Sequence, residues 1–320
     1  VGDFLNSFTV EPGPPAYLSL SEEEWQEKLQ RSRDLANPCV LCGRRCRARR
    51  LEKPENKGQQ PDLGVCKARD RAVVASYGPH FGEEPPLVGR MGSGTIFFSG
   101  CNLKCIFCQN YDIAHSYRGR EVSGEELGRI MLEIQEMGCH NINLVSPTHV
   151  VPSILAAVRY AAGRGLKIPL VYNTGGFDSL ETIEVLDGVV DIYMPDMKYG
   201  KSGPAAEFSG AADYPAVNFA AVREMYRQVG DLVMDKDNIA VRGLLVRHLV
   251  LPAGLAGTKK IMEFLAGEIS LHTYVNIMAQ YRPCYKAVGH PVLGRRIRAE
   301  EYREALQIAA KAGLTRGQAL

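Results

Sequence analysis

The chain has 320 residues, 45% hydrophobic and 23% charged, a globular composition long enough to bury roughly 75% of its unfolded surface without disulfide staples. Its 38 Lys and Arg against 36 Asp and Glu leave a formal charge of +2, so global electrostatics give no reason to expect a nucleic-acid or membrane-surface partner. No apolar run approaches the roughly 18 residues that a membrane-spanning helix needs.

The opening stretch VGDFLNSFTVEPGPPAYL has neither a basic n-region nor a clean apolar centre, so it reads as no signal peptide and a cytoplasmic protein is expected. Nine cysteines in that compartment read as metal ligands or free thiols rather than disulfides. The helix SEEEWQEKLQRSRDLAN opens on a Ser21/Glu24 capping box and stops at Asn37-Pro38. Four cysteines follow, Cys39, Cys42, Cys46 and Cys66, in a segment so poor in apolar residues that it needs a metal to fold. The basic run RRCRARR lies among them. The stretch EEPPLVGRMGSG, 83–94, reads as a connection. We expect residues 1–90 to form an extension carrying this four-cysteine metal site, 91–285 the main domain and 286–320 a helical tail.

From residue 95 short apolar runs alternate with helical segments. Strands are expected at Thr95–Ser99, Asn141–Val145, Ile168–Asn173, Val189–Asp196, Leu244–Leu251 and Thr273–Ala279. Helices are expected over SGEELGRIMLEIQEMG, with a Ser123/Glu126 capping box, and near 152–163, 179–187, 215–229 and 258–269, with a last one in AEEYREALQIAAKAG. Alternation of this kind implies parallel βαβ units with both strand faces covered. Six units are too few for an eight-stranded barrel. The fold class is therefore α/β, a partial (βα)6 TIM-like barrel with a small metal-stabilised N-terminal extension and a C-terminal helix.

In such folds the chemistry collects where strands end at their C-terminal side. The first strand runs into FFSGCNLKCIFCQNYDIAH, in which Cys101, Cys105 and Cys108 are spaced C-x3-C-x2-C. The next strands end at Ser146-Pro147-Thr148-His149, at Asn173-Thr174-Gly175-Gly176 and at Asp196-Met197-Lys198; the fifth contains Arg247 and His248, and the last ends at Gln280-Tyr281-Arg282. Three cysteines are one ligand short of a closed zinc site, and His115 stands seven residues beyond the last of them, an unusual gap; a catalytic zinc with an open position is one reading. A ferredoxin-type cluster needs four thiolates in another spacing. A cuboidal [4Fe–4S] cluster on three thiolates leaves one iron free to bind a cofactor or substrate. Arg247 offers a fork that matches two carboxylate oxygens. His149 and His248 read as hydrogen-bonded structural histidines, and Cys139 as a small buried hydrophobe.

The triplet after an apolar strand, with Phe107 as the aromatic of C-x3-C-x-Φ-C, resembles the signature of radical S-adenosylmethionine (SAM) enzymes. GSGTIFFSGCNLKCIFCQN, VSPTH, VYNTGG and LVRHLVLP are similar to proteins related to pyruvate formate-lyase activating enzyme, over roughly residues 90–285, in a branch with a four-cysteine N-terminal extension. The resemblance implies an oxidoreductase in which Cys101, Cys105 and Cys108 hold a [4Fe–4S] cluster whose open iron binds SAM. One-electron reduction then yields methionine and a 5′-deoxyadenosyl radical that abstracts hydrogen from a substrate, a glycyl-radical-type partner protein first among the candidates. It implies Phe107 against the adenine, and Ser146 and Thr148 where the family carries Gly-Gly-Glu. It places Asn173 and Thr174 in the turn near the ribose or a monovalent cation, Asp196 and Met197 at that cation, and Lys198 and Arg247 toward carboxylate. The expected reductant is a flavodoxin or ferredoxin.

Cys39, Cys42, Cys46 and Cys66 suffice to close a site of their own, as structural zinc or as a second Fe–S cluster. The flanking Arg44, Arg45, Arg47 and Arg49 would stabilise thiolate charge or dock an acidic partner. Two other functions stay open: radical SAM modification of a small molecule or peptide, and a non-catalytic zinc-stabilised RNA- or protein-binding module.

Overall fold

The structure, a computed structural model, describes residues 8–51 and 63–317. The first seven residues of the stretch read as no signal peptide, and 52–62 of the polar link between Cys46 and Cys66, lie outside the described residues.

A nine-stranded mixed sheet organises the chain: β1 (Ala72–His80), β2 (Ser93–Phe98), β3 (Arg120–Val122), β4 (Ile142–Val145), β5 (Leu170–Thr174), β6 (Ile192–Pro195), β7 (Val233–Met234), β8 (Ala240–Leu249) and β9 (Tyr274–Met278). Strands β2, β4, β5, β6, β8 and β9 pair in that order and all in parallel. These are the six strands expected from the sequence, and they form the unclosed parallel barrel. β1 and β3 extend it by antiparallel pairing beyond β2, and β7 adds an antiparallel pair to β8. None of these three was expected. Gly78-Pro79 and Gly119 make their segments read as loop.

Helices α1 (Glu22–Ala36), α2 (Gly124–Glu136), α3 (Val151–Ala162), α4 (Leu180–Val185), α5 (Ser202–Ser209), α6 (Tyr214–Val229), α7 (Thr258–Phe264) and α8 (Ala299–Lys311) accompany the sheet. Both serine capping boxes form. Ser21 Oγ accepts from Glu24 N at 3.2 Å while Glu24 Oε2 accepts from Ser21 N at 2.7 Å, and Ser123 and Glu126 repeat the arrangement at the start of α2. Such caps stabilise a helix start by about 1 kcal/mol.

Strand alternation sorts the core into two faces. Ile96, Leu144, Tyr172, Tyr193, Leu244 and Val246 point outward, into the large apolar layer shared with the helices. Val171, Ile192, Met194 and Leu245 point inward, where they pack on Leu87. Leu87 belongs to a single helical turn, Pro85–Val88, which plugs the barrel floor. Asn141 Nδ2 donates to Leu87 O at 2.9 Å and fixes the plug to β4. The stretch read as a connection is thus part of the barrel interior, and burying Leu87 contributes about 2 kcal/mol.

Candidate functional site

The cysteine loop leaves the end of β2 at Gly100, whose φ of +87° and approach to Cys66 O leave no room for a side chain: an added Cβ would lie 2.6 Å from that carbonyl. The loop is then tied down from three directions. Lys104 N and Ile106 N donate to Ser209 O and Phe208 O at the end of α5, at 3.2 and 2.8 Å, and Ala287 N donates to Ile106 O at 2.9 Å. Arg44 Nε donates to Asn102 O at 2.8 Å, and its other nitrogens reach Gly210 O and Ser209 O. Asn102 Nδ2 donates to Phe177 O at 3.1 Å. Arg44 therefore straps the N-terminal cysteine segment onto the loop, and Arg45 pairs with Glu181 at 2.6 Å. Two of the four arginines expected to serve thiolates or a partner are committed to this chain's own backbone and carboxylates.

Cys101, Cys105 and Cys108 border one pocket of about 240 Å³, together with Phe107, Ser146, Asn173, Thr174, Asp196, Lys198, Arg247, Met278 and Gln280. Of the residues expected at the cofactor, all but two line it. Thr148 is buried elsewhere: its hydroxyl donates to Asp178 Oδ1 at 2.6 Å and lies 3.3 Å from Thr174 Oγ1. Met197 packs into the outer apolar layer. Asp196 and Lys198 flank it with a period of two, so Met197 must face the other way.

Burial pushes the Cys101 thiol up to about 11 and the Cys108 thiol up to about 12, and the neighbouring thiols add to both shifts. Ser209 Oγ donates to Cys105 Sγ at 3.0 Å and Leu103 N donates to Cys101 Sγ at 3.4 Å. Such bonds stabilise negative charge on sulfur. Tyr199 OH lies 2.7 Å from Ser209 Oγ and completes the relay as its donor. Phe107 stands edge-on to Tyr281 and Tyr199, with ring centroids 5.9 and 6.4 Å away.

Among the described residues no three His, Cys, Asp or Glu side chains are already gathered as the ligands of one ion. Three soft thiols around one pocket, two of them receiving hydrogen bonds, fit a cuboidal [4Fe–4S] cluster with one iron left open.

The pocket floor is charged. Arg247 Nε donates to Asp196 Oδ1 and its Nη2 to Asn173 Oδ1, each at 2.8 Å, while its third nitrogen lies 3.9 Å from Glu83 Oε2 and 3.8 Å from Glu84 Oε1. Lys198 Nζ pairs with the other Asp196 oxygen. Burial alone would raise the Asp196 carboxyl, but Arg247 and Lys198 hold it below the ordinary range. Burial would lower Lys198, and Asp196 keeps it raised. The Asp196–Lys198 pair, which could have been solvated, is enclosed. Glu83 and Glu84 enter the barrel interior beside the Leu87 plug. Burial raises Glu84, with Arg247 opposing. Its Oε2, and both amide atoms of the fully buried Asn143, have no hydrogen-bond partner among the described residues.

Asp178 also went unread. Fully buried, it accepts from Thr148, Tyr172 and Thr174 at 2.6, 2.9 and 2.7 Å and so fixes the turn after β5. His149 and His248 are structural: one donates to Ser99 O at 2.8 Å, and the other bridges Met197 O and Thr258 Oγ1 at 2.8 and 2.9 Å. His115 stacks on Tyr285. Cys139 is buried in the outer apolar layer.

In the extension, Cys39, Cys42 and Cys66 are buried and Cys46 is exposed. Cys39 N donates to Ala48 O and Arg47 N to Cys39 O, at 3.0 and 2.9 Å, forming a small knuckle. Burial raises the Cys39 and Cys42 thiols, the latter to about 12, and each feels the other cysteines of the group.

The sequence model described as the radical SAM superfamily matches residues 95–201, from β2 to just beyond β6. An uncharacterized protein of Methanocaldococcus jannaschii, MJ0674, is 31% identical over 297 residues, which cover 90% of this chain and 78% of that one. Among solved structures, HydG, a maturase of the [FeFe]-hydrogenase, aligns at 11% identity and a TM-score of 0.47, over 67% of this chain and 47% of its own. OxsB, a cobalamin-dependent S-adenosylmethionine radical enzyme, aligns at 14% and 0.39, over 69% and 31%. The chain thus spans less than half of either solved protein. Among the described residues no helix is long and apolar enough to cross a membrane.

Proposed function

We propose that this chain, a member of the radical SAM superfamily by the match over residues 95–201, is an activating-enzyme-like oxidoreductase, with Cys101, Cys105 and Cys108 as the three protein ligands of a [4Fe–4S] cluster and a glycyl-radical-type protein as its substrate. The observation that carries this reading is the triplet itself, set at the edge of a pocket whose other walls are Asn173, Asp196, Lys198 and Arg247. When bound, the cluster and SAM supply one-electron cleavage of the sulfonium and, from it, a hydrogen-abstracting 5′-deoxyadenosyl radical.

The chain's own residues bind, orient and exclude water. Phe107 offers an apolar edge to the adenine. Ser146, Asn173 and Thr174 offer hydroxyl, amide and carbonyl groups to the ribose and to the methionine amino group, in the place where the family carries a glutamate. Lys198 is the cation for the methionine carboxylate. Arg247, with its fork occupied by Asp196 and Asn173, is better suited to hold those two groups in place than to clamp a ligand. Asp196 and Thr174 provide oxygens for a monovalent cation. Nine free cysteines suit a reducing, cytoplasmic setting, and the electron comes from a flavodoxin- or ferredoxin-type donor.

A second reading, a small molecule or peptide as substrate, has its own support. Asn143 and Glu84 Oε2 leave donors and acceptors unmet inside the barrel, which suits a polar group entering from the pocket. For the extension we favour structural zinc over a second Fe–S cluster, because its short, polar segment gains most from a closed clamp.

Anaerobic reconstitution with iron and sulfide, followed by assay of methionine and 5′-deoxyadenosine, tests the reading. Cleavage that is lost in Cys105→Ser supports it; tetrahedral zinc on the triplet, or cleavage retained in that variant, ends it. A protein-centred radical in electron spin resonance of the mixture distinguishes a protein substrate from a modified metabolite.

A further inference from the structure

The basic run RRCRARR ends in a residue that nothing described so far uses. Of its five arginines, Arg44 and Arg45 are committed to this chain's own groups, Arg47 and Arg49 are exposed, and Arg50 is buried, only 5% exposed. Arg50 Nη1 donates to His149 O at 2.7 Å. Its Nε is enclosed without a hydrogen-bond partner, and among the described residues no carboxylate pairs with it. A guanidinium cannot shed its proton, and a buried charge without a partner is among the costliest arrangements in a folded chain. Some neighbour must therefore carry negative charge.

The knuckle bond from Cys39 N to Ala48 O turns the run back on itself, and Arg50 comes to lie where its charge bears on the Cys39 thiol. That charge is also felt at Tyr117 and His149, neither of which is an anion at neutral pH. Cys39 in turn feels Cys46 and Cys66, and Cys42 feels all three, so the four sulfurs share one neighbourhood. Leu41 N donates to the Cys39 sulfur and Arg44 N to the Cys42 sulfur, the same two-residue turn by which Leu103 N meets Cys101 Sγ. Peptide donors on two sulfurs and one enclosed cation beside them fit a set that is negatively charged. Four thiolates on one Zn²⁺ leave two net negative charges, of which Arg50 offsets one.

We infer that Arg50 is the internal counter-ion of the closed metal site on Cys39, Cys42, Cys46 and Cys66, a positioning residue that strengthens metal binding without touching the metal. The inference rests on the reading of those four cysteines as a zinc clamp. It gives to Arg50 the thiolate-stabilising part expected of its four neighbours in the run. It also gives the clamp a second tie to the cluster side of the molecule. Arg50 holds the His149 carbonyl, and the His149 ring holds the carbonyl of Ser99, two residues before Cys101.

The test measures zinc affinity by anaerobic competition with a chromophoric chelator, on the full chain with its Cys101, Cys105 and Cys108 cluster reconstituted so that those thiolates are occupied. Arg50→Met keeps the length and loses the charge, and should bind zinc about 10–100-fold more weakly than wild type. Arg50→Lys keeps the charge and should stay within about threefold. Stability supplies a second readout, in its sign. In the zinc-bound chain Arg50→Met should lower the urea midpoint. In Cys39→Ser/Cys42→Ser the negative site is gone and Arg50 is an unpaired charge, so the same change should leave the midpoint where it is or raise it. A residue that only packs would be missed equally in both backgrounds. Zinc held as tightly by Arg50→Met as by wild type overturns the proposal, as does Arg50→Lys binding as weakly as Arg50→Met, or an equal loss of stability in both backgrounds. Wild-type holoenzyme that holds no zinc on these four cysteines defeats the clamp reading itself, a result distinct from the others.

Discussion

Arg247 Nε lies 2.8 Å from Asp196 Oδ1, the two residues facing each other across a parallel bridge between β8 and the end of β6. Asn173 takes a second nitrogen and the plug carboxylates Glu83 and Glu84 approach the third. The guanidinium therefore ties the barrel floor to the pocket. Removing it leaves Asp196 beside Lys198 and Glu83 beside His80, 3.0 Å from its Oε1, and strands the buried Glu84. Arg247→Met should cost about 3–5 kcal/mol, because an uncompensated buried charge is costlier than the pair was stabilising. Arg247→Lys retains charge but not the fork and should cost less. Urea unfolding at constant m-value measures both. A loss below about 1 kcal/mol for Arg247→Met would show the network to be solvated.

Acid should act through the two buried histidines. Burial pushes His149 and His248 down from 6.5 to about 4. A base with a depressed folded pKa contributes stability that is complete above its unfolded pKa and is lost as pH falls from about 6.5 to about 4. Each shift corresponds to about 3 kcal/mol. Asp191, raised by burial to about 6, acts in the opposite sense and partly masks this in the wild-type profile. The difference between wild type and His149→Gln removes that term. It should shrink by about 3 kcal/mol between pH 6.5 and pH 4 in urea titrations. A pH-independent difference would mean that His149 is hydrated.

The N-terminal cysteines make a separable prediction. If they clamp zinc, Cys39→Ser/Cys42→Ser should lose zinc and leave iron per chain unchanged in anaerobic metal analysis. Because Arg44 carries this segment to Asn102, Ser209 and Gly210, the variant should also loosen the Cys101–Cys108 loop, visible as faster amide exchange there. A fall in iron to about half would assign a second cluster instead.

The six parallel strands and both capping boxes were legible because short, nearly continuous apolar runs and Ser-x-x-Glu are local signals. The cysteine triplet was legible for the same reason. What escaped was long-range. Glu83 and Glu84 precede two prolines and read as linker; only the closing barrel brings them to Arg247, more than 160 residues away. Asn143 and Asp178 look like ordinary strand and turn residues until their surroundings are known. Met197 is different, since the alternation Asp196–Met197–Lys198 already assigns it to the opposite face.

Ser209 offers the sharpest test of the sulfur environment. Its hydroxyl donates to Cys105 Sγ at 3.0 Å and accepts from Tyr199, so the bond is oriented from both ends. Hydrogen bonds to cluster sulfurs favour the reduced, more negative state. Ser209→Ala should therefore lower the cluster's reduction potential, read by electron-spin-resonance-monitored redox titration. It also leaves the buried Tyr199 hydroxyl unmet, at a cost of about 1–3 kcal/mol, so lost activity alone would be ambiguous. Ser209→Thr keeps the hydroxyl and should restore the potential. A potential that is unmoved in Ser209→Ala, or equally lowered in both variants, would mean that Ser209 packs against Cys105 without tuning it.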